Sequence, residues 1–181
     1  MAIPDVDKSC LIIVDVQERL YRAMHEKETL AENIQRLIKG ARLLGVPVIA
    51  TEQYPQGIGP TIEPVAALLA GVPIIPKLHF SCCGDPAFLK TFKDLNRKQV
   101  LIAGIECHVC VYQTAVDLLD RGHEVHVVAD AVSSRTTRNL DIGLQGMSDE
   151  GVKITGTETV LFALLKTAGA ESFPDVLRIV K

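Results

Sequence analysis

Three side chains that could do chemistry together follow separate apolar runs of this sequence. Asp15 and Lys77 each come directly after a run of Val, Leu, Ile or Pro residues, and Cys110 comes after another such run and a short connection. A thiol beside a carboxylate and an ammonium group can attack a carbonyl carbon, because the carboxylate accepts its proton and the cation favours the thiolate. Taken singly, each residue has an ordinary explanation: the carboxylate caps a turn, the ammonium group is solvated and the thiol is a small buried hydrophobe.

The segment around Cys110 predicts a nucleophile at the start of a helix. It reads as a strand, a short connection, the cysteine and then an amphipathic stretch that includes residues 114–119. Unpaired backbone N–H groups and the positive end of the helix dipole favour the thiolate at such a position. We therefore expect Cys110 to carry an activated thiolate.

The elements that must position these residues alternate along the chain. Short apolar runs without polar alternation are typical of strands buried on both faces of a parallel sheet. The strand candidates are residues 10–14, 47–50, 73–76, 100–103, 124–128 and 152–155. Helical periodicity and helix-stop signals give the helix candidates, which are residues 29–44, 61–69, 86–95, 110–121, 138–150 and 157–166. This alternation predicts an α/β, Rossmann-like fold, a three-layer αβα sandwich around a central, mostly parallel six-stranded sheet.

All three reactive residues are expected at one edge of that sheet. Each follows a strand candidate, and the carboxyl ends of parallel strands lie on the same side. Ligands of open α/β sheets bind beyond that edge. A carboxylate, an ammonium group and a thiol are much less expected there together by chance than any one of them alone, which favours a shared catalytic role.

Three ordered motifs resemble those of the isochorismatase-like cysteine hydrolase superfamily. Residues 11–17 match the family's Asp-x-Gln opening, residues 76–81 match its Lys-x-x-Phe-Ser segment, and residues 104–114 match its glycine-to-nucleophile turn. The segments 51–59 and 120–135 are similar to those of isochorismatase domain-containing proteins, a subgroup without an assigned substrate. The resemblance covers nearly the whole chain and implies the isochorismatase-like form of the fold predicted above.

The resemblance implies a catalytic triad of Asp15, Lys77 and Cys110 in a hydrolase that acts on a small amide-type (C–N) substrate. Cys110 would attack the acyl carbon, Asp15 would accept the thiol proton and return it to the leaving amine, and water would release the acid from a thioester. The family also places a cis peptide bond between Ile105 and Glu106. The backbone N–H groups of Glu106 and Cys110 would then form an oxyanion hole.

Five further residues are candidates for contact with the substrate. They lie in the matched motifs or on connections at the presumed active edge: Gln17, Gln53, Tyr54, Phe80 and His108. Phe80 could pack against a planar substrate, although an ordinary core aromatic is an equal explanation. Gln17 could orient Asp15 or a nearby backbone group, although a surface glutamine is an equal explanation.

No metal and no other cofactor is expected. The better-known nicotinamidases of the family carry an Asp-x-His metal motif after the second strand, where this chain has Thr51, Glu52, Gln53 and Tyr54. The missing histidine disfavours both a metal site of that kind and nicotinamide hydrolysis. Isochorismatase itself lacks the nucleophilic cysteine and cleaves a vinyl ether, so Cys110 also argues against that reaction.

Two alternative functions use the cysteines differently. Cys107 and Cys110 form a Cys-x-x-Cys pair at a strand-to-helix turn, which is the arrangement of dithiol redox proteins, but disulfide exchange leaves Asp15 and Lys77 unexplained. Thiolates and imidazoles also suit zinc, although the chain lacks two well-spaced ligand pairs. The ligands of such a zinc site would come from His79, Cys82, Cys83, Cys107 and Cys110.

A third alternative is a non-catalytic binding or assembly protein. The apolar stretches 65–70 and 161–165 could pack internally or form contacts between subunits. A purely structural role would not require a thiol, a carboxylate and an ammonium group together, so the triad argues against it. Relatives of this kind are commonly oligomers, and we expect a homo-oligomer, a dimer or higher, here as well.

The length predicts a single domain spanning residues 1–181, and the resemblance implies that it is an isochorismatase-like hydrolase domain. The net charge of −3 offers no basic surface for nucleic acid or acidic membranes, and no apolar run approaches the roughly 20 residues that span a bilayer. The N-terminus lacks the pattern of a signal peptide, and the five cysteines are an odd number, which favours reduced thiols in the cytoplasm. The expected partner is a small-molecule substrate.

Overall fold

Six parallel strands form the central sheet in the order β3-β2-β1-β4-β5-β6. The structure is a computed structural model that describes residues 3–181. The strands are β1 (Ser9–Val14), β2 (Val48–Gln53), β3 (Ile74–Lys77), β4 (Gln99–Ile105), β5 (Glu124–Ser133) and β6 (Lys153–Thr155). The chain moves outward from β1 to β3 and then returns to β4 on the other side of β1. The strand order therefore reverses between β1 and β4, and such a switch point is where open α/β sheets bind ligands.

Helices connect the strands and cover both faces of the sheet. The α-helices are α1 (Glu18–Tyr21), α2 (Lys27–Leu43), α3 (Pro55–Ile58), α4 (Glu63–Ala66), α5 (Pro86–Leu95), α6 (Tyr112–Asp120), α7 (Thr137–Asp149), α8 (Thr157–Leu165) and α9 (Phe173–Val180). A 3₁₀ turn spans Cys82–Gly84, and a π-helical turn spans Cys107–Val111. None of the helices in residues 3–181 combines the length and apolar content needed to cross a bilayer.

Alternate residues of β1 point into two different hydrophobic cores, as successive side chains of a strand must. Leu11 and Ile13 pack in one core with residues of α2 and α8. Cys10, Ile12 and Val14 pack in the other core with residues of α5, α6 and α7. A sheet with helices on both faces is the predicted three-layer αβα sandwich, so the fold class is confirmed.

Helix α2 shows how local sequence produces one of these layers. Its buried apolar side chains recur at helical spacing, which gives the helix one face for the sheet: Leu30, Ile34, Leu37, Ile38 and Ala41. Gly45 follows the helix with a φ of 75°, a conformation that glycine adopts without steric cost, and Pro47 then keeps the helix from continuing.

The structure corrects several predicted helix boundaries. The helix expected over 61–69 is limited to α4, because the N–H groups of Leu68 and Leu69 bond three residues back and tighten the chain into turns. The helix expected over 110–121 begins as a π-helical turn, and regular α6 starts only at Tyr112. The sequence analysis missed α1, α3 and the 3₁₀ turn, because single turns carry too little periodicity, and it also missed α9.

Candidate active site

Asp15 lies directly after β1, at the switch point, and its side chain is fully buried. Its N–H donates to the Thr51 carbonyl at 3.2 Å. The Thr51 hydroxyl donates to Asp15 Oδ1 at 2.7 Å, and Lys77 Nζ donates to Asp15 Oδ2 at 2.7 Å. Both carboxylate oxygens therefore have partners on the neighbouring strands β2 and β3, and these partners fix the orientation of the carboxylate.

Lys77 is the last residue of β3, whereas the sequence analysis placed it just after the strand. Its fully buried ammonium group donates to Asp15 and, at 2.7 Å, to Gln53 Oε1. The carbonyl oxygens of His79 and Phe80 lie 3.1 and 3.0 Å from the same nitrogen. A buried ion pair is tolerated when hydrogen bonds satisfy its remaining polar atoms, and these acceptors do so for Lys77.

Cys110 lies in the π-helical turn between β4 and α6 and is only 5% exposed. Burial raises the pKa of its thiol to about 12, and a hydrogen bond to Asp15 and the charge of that carboxylate act in the same direction, while Lys77 opposes them. Burial lowers the pKa of Lys77, but the charge of Asp15 and the hydrogen bond to its carboxylate raise it above its ordinary value. These shifts favour a neutral thiol beside an ammonium group at rest, in contrast to the thiolate expected from the position of Cys110 at the start of a helix.

Gly104 allows β1 and β4 to approach closely beneath the site. Its φ is 125°, and a Cβ atom at this position would lie 2.1 Å from the carbonyl oxygen of Val14. Val14 immediately precedes Asp15, so any side chain at position 104 would displace the strand that carries the carboxylate. The pairing of β4 with β5 is also irregular between Ile102 and Gly104, just before the nucleophile turn.

The turn that carries Cys110 starts at Glu106. The peptide bond between Ile105 and Glu106 is cis, at the position that the family resemblance implies. The Glu106 carbonyl accepts hydrogen bonds from the N–H groups of Val109 and Val111, at 3.1 and 3.2 Å. Among the turn and loop hydrogen bonds of residues 3–181, the Glu106 N–H has no backbone acceptor. An oxyanion hole formed by the N–H groups of Glu106 and Cys110 stays a prediction.

Gln17 and Gln53 hold the site together from within. Gln17 Nε2 donates to the carbonyls of Gln53 and Gly59, at 3.0 and 2.7 Å, and its Oε1 accepts from the Gln53 N–H at 2.7 Å. Gln53 Oε1 accepts from Lys77, and its Nε2 donates to the Leu78 carbonyl at 2.8 Å. Both amides have protein partners, which favours a positioning role for these residues, and their contact with substrate stays a prediction.

Tyr54, Leu78 and Phe80 form an exposed apolar flank beside the buried lysine. Tyr54 is 50% exposed, Leu78 71% and Phe80 55%, so Phe80 is not an ordinary core aromatic. All three follow β2 or β3 at the carboxyl edge of the sheet. Tyr54 and Phe80 thus lie where contact with a substrate was predicted, and that contact stays a prediction.

Glu106, His108, Ser134 and Arg135 form a polar flank after β4 and β5. Arg135 Nε and Nη2 donate to the two carboxylate oxygens of Glu106 at 2.9 and 3.2 Å. His108 Nδ1 lies 2.8 Å from Ser134 Oγ. The sequence analysis missed Arg135, because no spacing rule connects residues on different loops; the only signal was the similarity of its segment to the subgroup.

Cys107 and Cys110 face different partners although they share one turn. Cys107 Sγ lies 3.8 Å from the Leu140 carbonyl of α7, and a Cβ atom at Gly143 would lie 3.0 Å from that sulfur. Burial raises the pKa of Cys107 to about 12. Cys107 therefore packs against α7 while Cys110 contacts Asp15, and the structure gives no support for the redox alternative.

Cys82 is a second thiol next to the candidate triad. Its Sγ lies 3.8 Å from Thr51 Oγ1, the hydroxyl that also bonds to Asp15, and its N–H donates to Thr114 Oγ1 at 3.0 Å. Burial raises the pKa of Cys82 to about 12. Within residues 3–181, no group of three or more His, Cys, Asp or Glu side chains is arranged to hold a metal ion, so the zinc alternative has no geometric support.

Comparison with known proteins identifies the family of this chain. The model of the isochorismatase domain matches residues 9–159. This chain belongs to the isochorismatase family. Isochorismatase domain-containing protein 2 of Rattus norvegicus is 38% identical over 175 residues, which cover 97% of this chain and 82% of that protein. The secreted isochorismatase effector Isc1 of Phytophthora sojae (strain P6497) is 36% identical over 177 residues, which cover 96% of this chain and 84% of that protein. The predicted family and subgroup are confirmed.

Solved structures share the fold of this isochorismatase-family hydrolase. The MAR1 ribonuclease of Caenorhabditis elegans superposes with a TM-score of 0.94 at 36% identity and covers 99% of this chain and 92% of its own. The YcaC gene product of Escherichia coli, described as an octameric hydrolase of unknown specificity, superposes with a TM-score of 0.91 and covers 99% and 95%. YcaC is 22% identical, so its likeness concerns the fold alone.

Proposed function

We propose that this isochorismatase-family hydrolase is a cysteine-dependent amidohydrolase that cleaves the C–N bond of a small substrate through a thioester. One observation carries the proposal: Lys77 Nζ lies 2.7 Å from Asp15 Oδ2 in a fully buried pair, and the Cys110 thiol is hydrogen-bonded to the same carboxylate. A base within hydrogen-bond reach of a nucleophile, and itself held by a third group, is the arrangement that nucleophilic catalysis requires.

In the first step, the Cys110 sulfur bonds to the carbonyl carbon of the substrate and its proton passes to Asp15. The pKa of the thiol is raised to about 12, so the proton leaves as the sulfur attacks rather than beforehand. The electron pair of the carbonyl π bond moves to the oxygen, which the N–H groups of Glu106 and Cys110 stabilise. Loss of one such donor typically costs about 3–4 kcal/mol of transition-state stabilisation.

In the second step, the carbonyl re-forms and the C–N bond breaks. The leaving amine takes the proton that Asp15 accepted, and a thioester to Cys110 remains. Water then attacks the thioester and gives a proton to Asp15, and the departing sulfur recovers that proton as the acid is released. Lys77 stays protonated throughout because its pKa is raised, and it keeps the Asp15 carboxylate oriented between the steps.

The surroundings of the triad favour a small substrate with one apolar and one polar end. In the strand order, the apolar flank (Tyr54, Leu78 and Phe80) follows β2 and β3, on one side of Asp15. The polar flank, which includes Glu106 and Arg135, follows β4 and β5 on the other side. A carboxamide or ureide whose reactive carbonyl lies between an aryl or alkyl group and a polar group fits this order.

We also propose a homo-oligomer located in the cytoplasm. Ile142 of α7 is 58% exposed and Ile154 of β6 is 38% exposed, and a contact between subunits would cover them. All five cysteines are free and buried, which suits a reducing compartment. Size-exclusion chromatography with light scattering tests the first proposal. Because the Phytophthora relative is named as secreted, fractionation of the native cell and its medium tests the second.

The proposed reaction is tested with a panel of small carboxamides and ureides assayed for release of ammonia or amine. We expect hydrolysis of at least one aryl or alkyl amide by the wild type. Cys110→Ala should abolish turnover, whereas Cys107→Ala, on the same turn but facing α7, should retain it. Asp15→Asn should lower the rate by at least 10²-fold, the lower end of the contribution of a positioned general base. Equal loss in both cysteine variants would overturn the assignment of Cys110.

Intact mass spectrometry provides a second test that is independent of product detection. With a slowly hydrolysed ester or amide, the wild type should gain the mass of the acyl group, and Cys110→Ala should not. An RNA oligonucleotide belongs in the same panel, because one structural neighbour is named a ribonuclease. Cleavage of the RNA that is unaffected by Cys110→Ala, with no amide hydrolysed, would overturn the proposed function.

A further inference from the structure

A cavity of about 400 Å³ lies at the end of the sheet opposite to the candidate active site. Lys93 and Phe92 of α5 line it, together with Arg97, Arg121 and His123. Arg97 precedes β4 and His123 precedes β5, so the cavity lies at the amino ends of these strands. Strand β4 spans Gln99–Ile105, which corresponds to roughly 20 Å, so the cavity is remote from the turn that carries Cys110.

The cavity has a concentration of positive charge and no carboxylate among its lining residues. Lys93, Arg97 and Arg121 line it, and no carboxylate does. Among the ion pairs of residues 3–181, none involves these three cations. The carboxylate of Asp117, one helical turn before Arg121, accepts the Ser81 hydroxyl at 2.5 Å instead. The whole protein has a net charge of −3, so this local charge is not a consequence of composition.

The other walls of the cavity suit a planar apolar group. Phe92 and His123 pack edge to face, with ring centroids 4.9 Å apart, and Leu89 lines the same cavity. Burial lowers the pKa of His123, which favours the neutral form of its ring. His123 Nδ1 is buried and has no hydrogen-bond partner among the described residues, and unpaired polar atoms of this kind are uncommon in folded proteins.

We propose that this cavity is a second binding site, which takes a small organic anion made of a phosphate or carboxylate group on a planar apolar body. Two arginines and a lysine provide the donors for such an anion, because a guanidinium group can donate two parallel hydrogen bonds to a phosphate or a carboxylate. The volume falls within the range of ordinary small-molecule sites, about 300–1,000 Å³. Arg97 Nη1 also donates to the Val6 carbonyl, at 3.2 Å, and to the Asp7 carbonyl, and these bonds restrain the guanidinium while its other N–H groups stay available to a ligand.

The site is tested by isothermal titration calorimetry of the full chain with phenyl phosphate, benzoate and the neutral control phenol. We expect binding of at least one anion, no measurable binding of phenol, and an affinity that falls as the salt concentration rises. Lys93→Gln and Arg121→Gln should each weaken binding by about tenfold, the size of one charge-assisted hydrogen bond. Lys90→Gln, on the exposed face of α5 and outside the cavity, is the matched control and should bind like the wild type.

Several outcomes would overturn the second site. They are the absence of binding by either anion, equal binding of phenol, and unchanged affinity in a Lys93→Gln/Arg121→Gln double variant whose circular dichroism and Tm match the wild type. Inorganic phosphate that binds as tightly as phenyl phosphate would remove the role of the planar group. These experiments measure binding and not turnover, so their outcome does not depend on whether the proposed amidohydrolase activity is correct.

Discussion

Removal of the Lys77 charge should lower the stability of the folded protein, because the Asp15 carboxylate would stay buried without its ion-pair partner. Lys77→Met keeps the unbranched stem of the side chain without the ammonium group and leaves the Asp15 carboxylate buried, with the Thr51 hydroxyl and the Cys110 thiol as its side-chain partners. Breaking a buried ion pair by removing one partner costs about 3–5 kcal/mol. In a chain of 181 residues, 1 kcal/mol shifts Tm by about 2–4 °C, so we expect Tm to fall by roughly 6–20 °C. Hydrolysis should be lost as well.

A double-mutant cycle separates this coupling from the loss of packing. Asp15→Asn likewise leaves the Lys77 ammonium group buried without its carboxylate partner. The double variant Asp15→Asn/Lys77→Met removes both charges, and the amide oxygen of Asn can still accept the Thr51 hydroxyl. Urea unfolding followed by circular dichroism at pH 7 should give a double variant more stable than the sum of the single changes implies, with a coupling of about 2–3 kcal/mol. The exposed pair of Arg178 and Asp175, 2.6 Å apart, is the control and should show less than about 1 kcal/mol. Additive effects at Asp15 and Lys77 would refute the reasoning.

The same pair predicts an alkaline limit to stability. The pKa of Lys77 is raised above its ordinary value of 10.5 in the folded protein, so the folded state keeps this proton to a higher pH than the unfolded state does. The stabilisation is therefore complete below pH 10.5 and is lost as the pH rises through the folded pKa. In alkaline unfolding series, the wild type should lose more of its free energy of unfolding than Asp15→Asn/Lys77→Met does. Parallel curves would contradict the assignment.

Three further predictions concern single residues. Iodoacetamide should label Cys110 slowly at pH 7 and about tenfold faster per pH unit up to at least pH 10, because the pKa of the thiol is raised to about 12. Mass spectrometry identifies the labelled residue, and a labelling rate that levels off below pH 8 would indicate a thiolate and contradict the prediction. Burial lowers the pKa of His126 to about 4, so the unfolded chain binds a proton at this histidine at a higher pH than the folded protein does. The free energy of unfolding of the wild type should therefore fall by up to about 3 kcal/mol between pH 6.5 and 4. A His126→Leu variant that loses as much in the same urea series would contradict this. Gly104→Ala should cost about 2–4 kcal/mol and abolish hydrolysis, because the new Cβ would lie 2.1 Å from the Val14 carbonyl oxygen. Gly45→Ala, where φ is 75° but nothing lies within 4 Å, should cost only about 1–2 kcal/mol and retain activity; equal effects would show that the strand contact is unimportant.

The strands could be predicted because most of their side chains are buried by the two helical layers. Strand β1 is buried at every position, so it reads as a continuous apolar run. Strand β2 was predicted to end three residues early, because Thr51, Glu52 and Gln53 are polar. They continue the strand because their polar atoms have partners in the site or beside it, such as Asp15 for Thr51 and Lys77 for Gln53. A pattern based on hydropathy has no means of detecting partners so distant in sequence.

In the candidate site, too, features that depend on the local sequence could be predicted, and features that depend on contacts between distant segments could not. Asp15, Lys77 and Cys110 could be found because each ends or follows a strand. The roles of Gln17 and Gln53 could not, because a glutamine that binds substrate and one that clamps a backbone look the same in sequence. The raised pKa of Cys110 could not be predicted either, because it comes from burial by the surrounding layers and not from the local helix geometry on which the thiolate was predicted.

A neutral resting thiol is consistent with catalysis when the charge of the whole site is followed. At rest, the Asp15 carboxylate and the Lys77 ammonium group cancel, and the Cys110 thiol adds nothing. A resting thiolate would leave one uncompensated negative charge in a site that water barely reaches, which is costly. In the proposed reaction, attack on an amide would move the thiol proton to Asp15 and place the negative charge on the substrate oxygen, so the total charge would not change. By this proposal, ionisation of the sulfur is coupled to the presence of a carbonyl that can accept the charge, and the burial that raises the pKa of Cys110 also limits its reaction with other electrophiles.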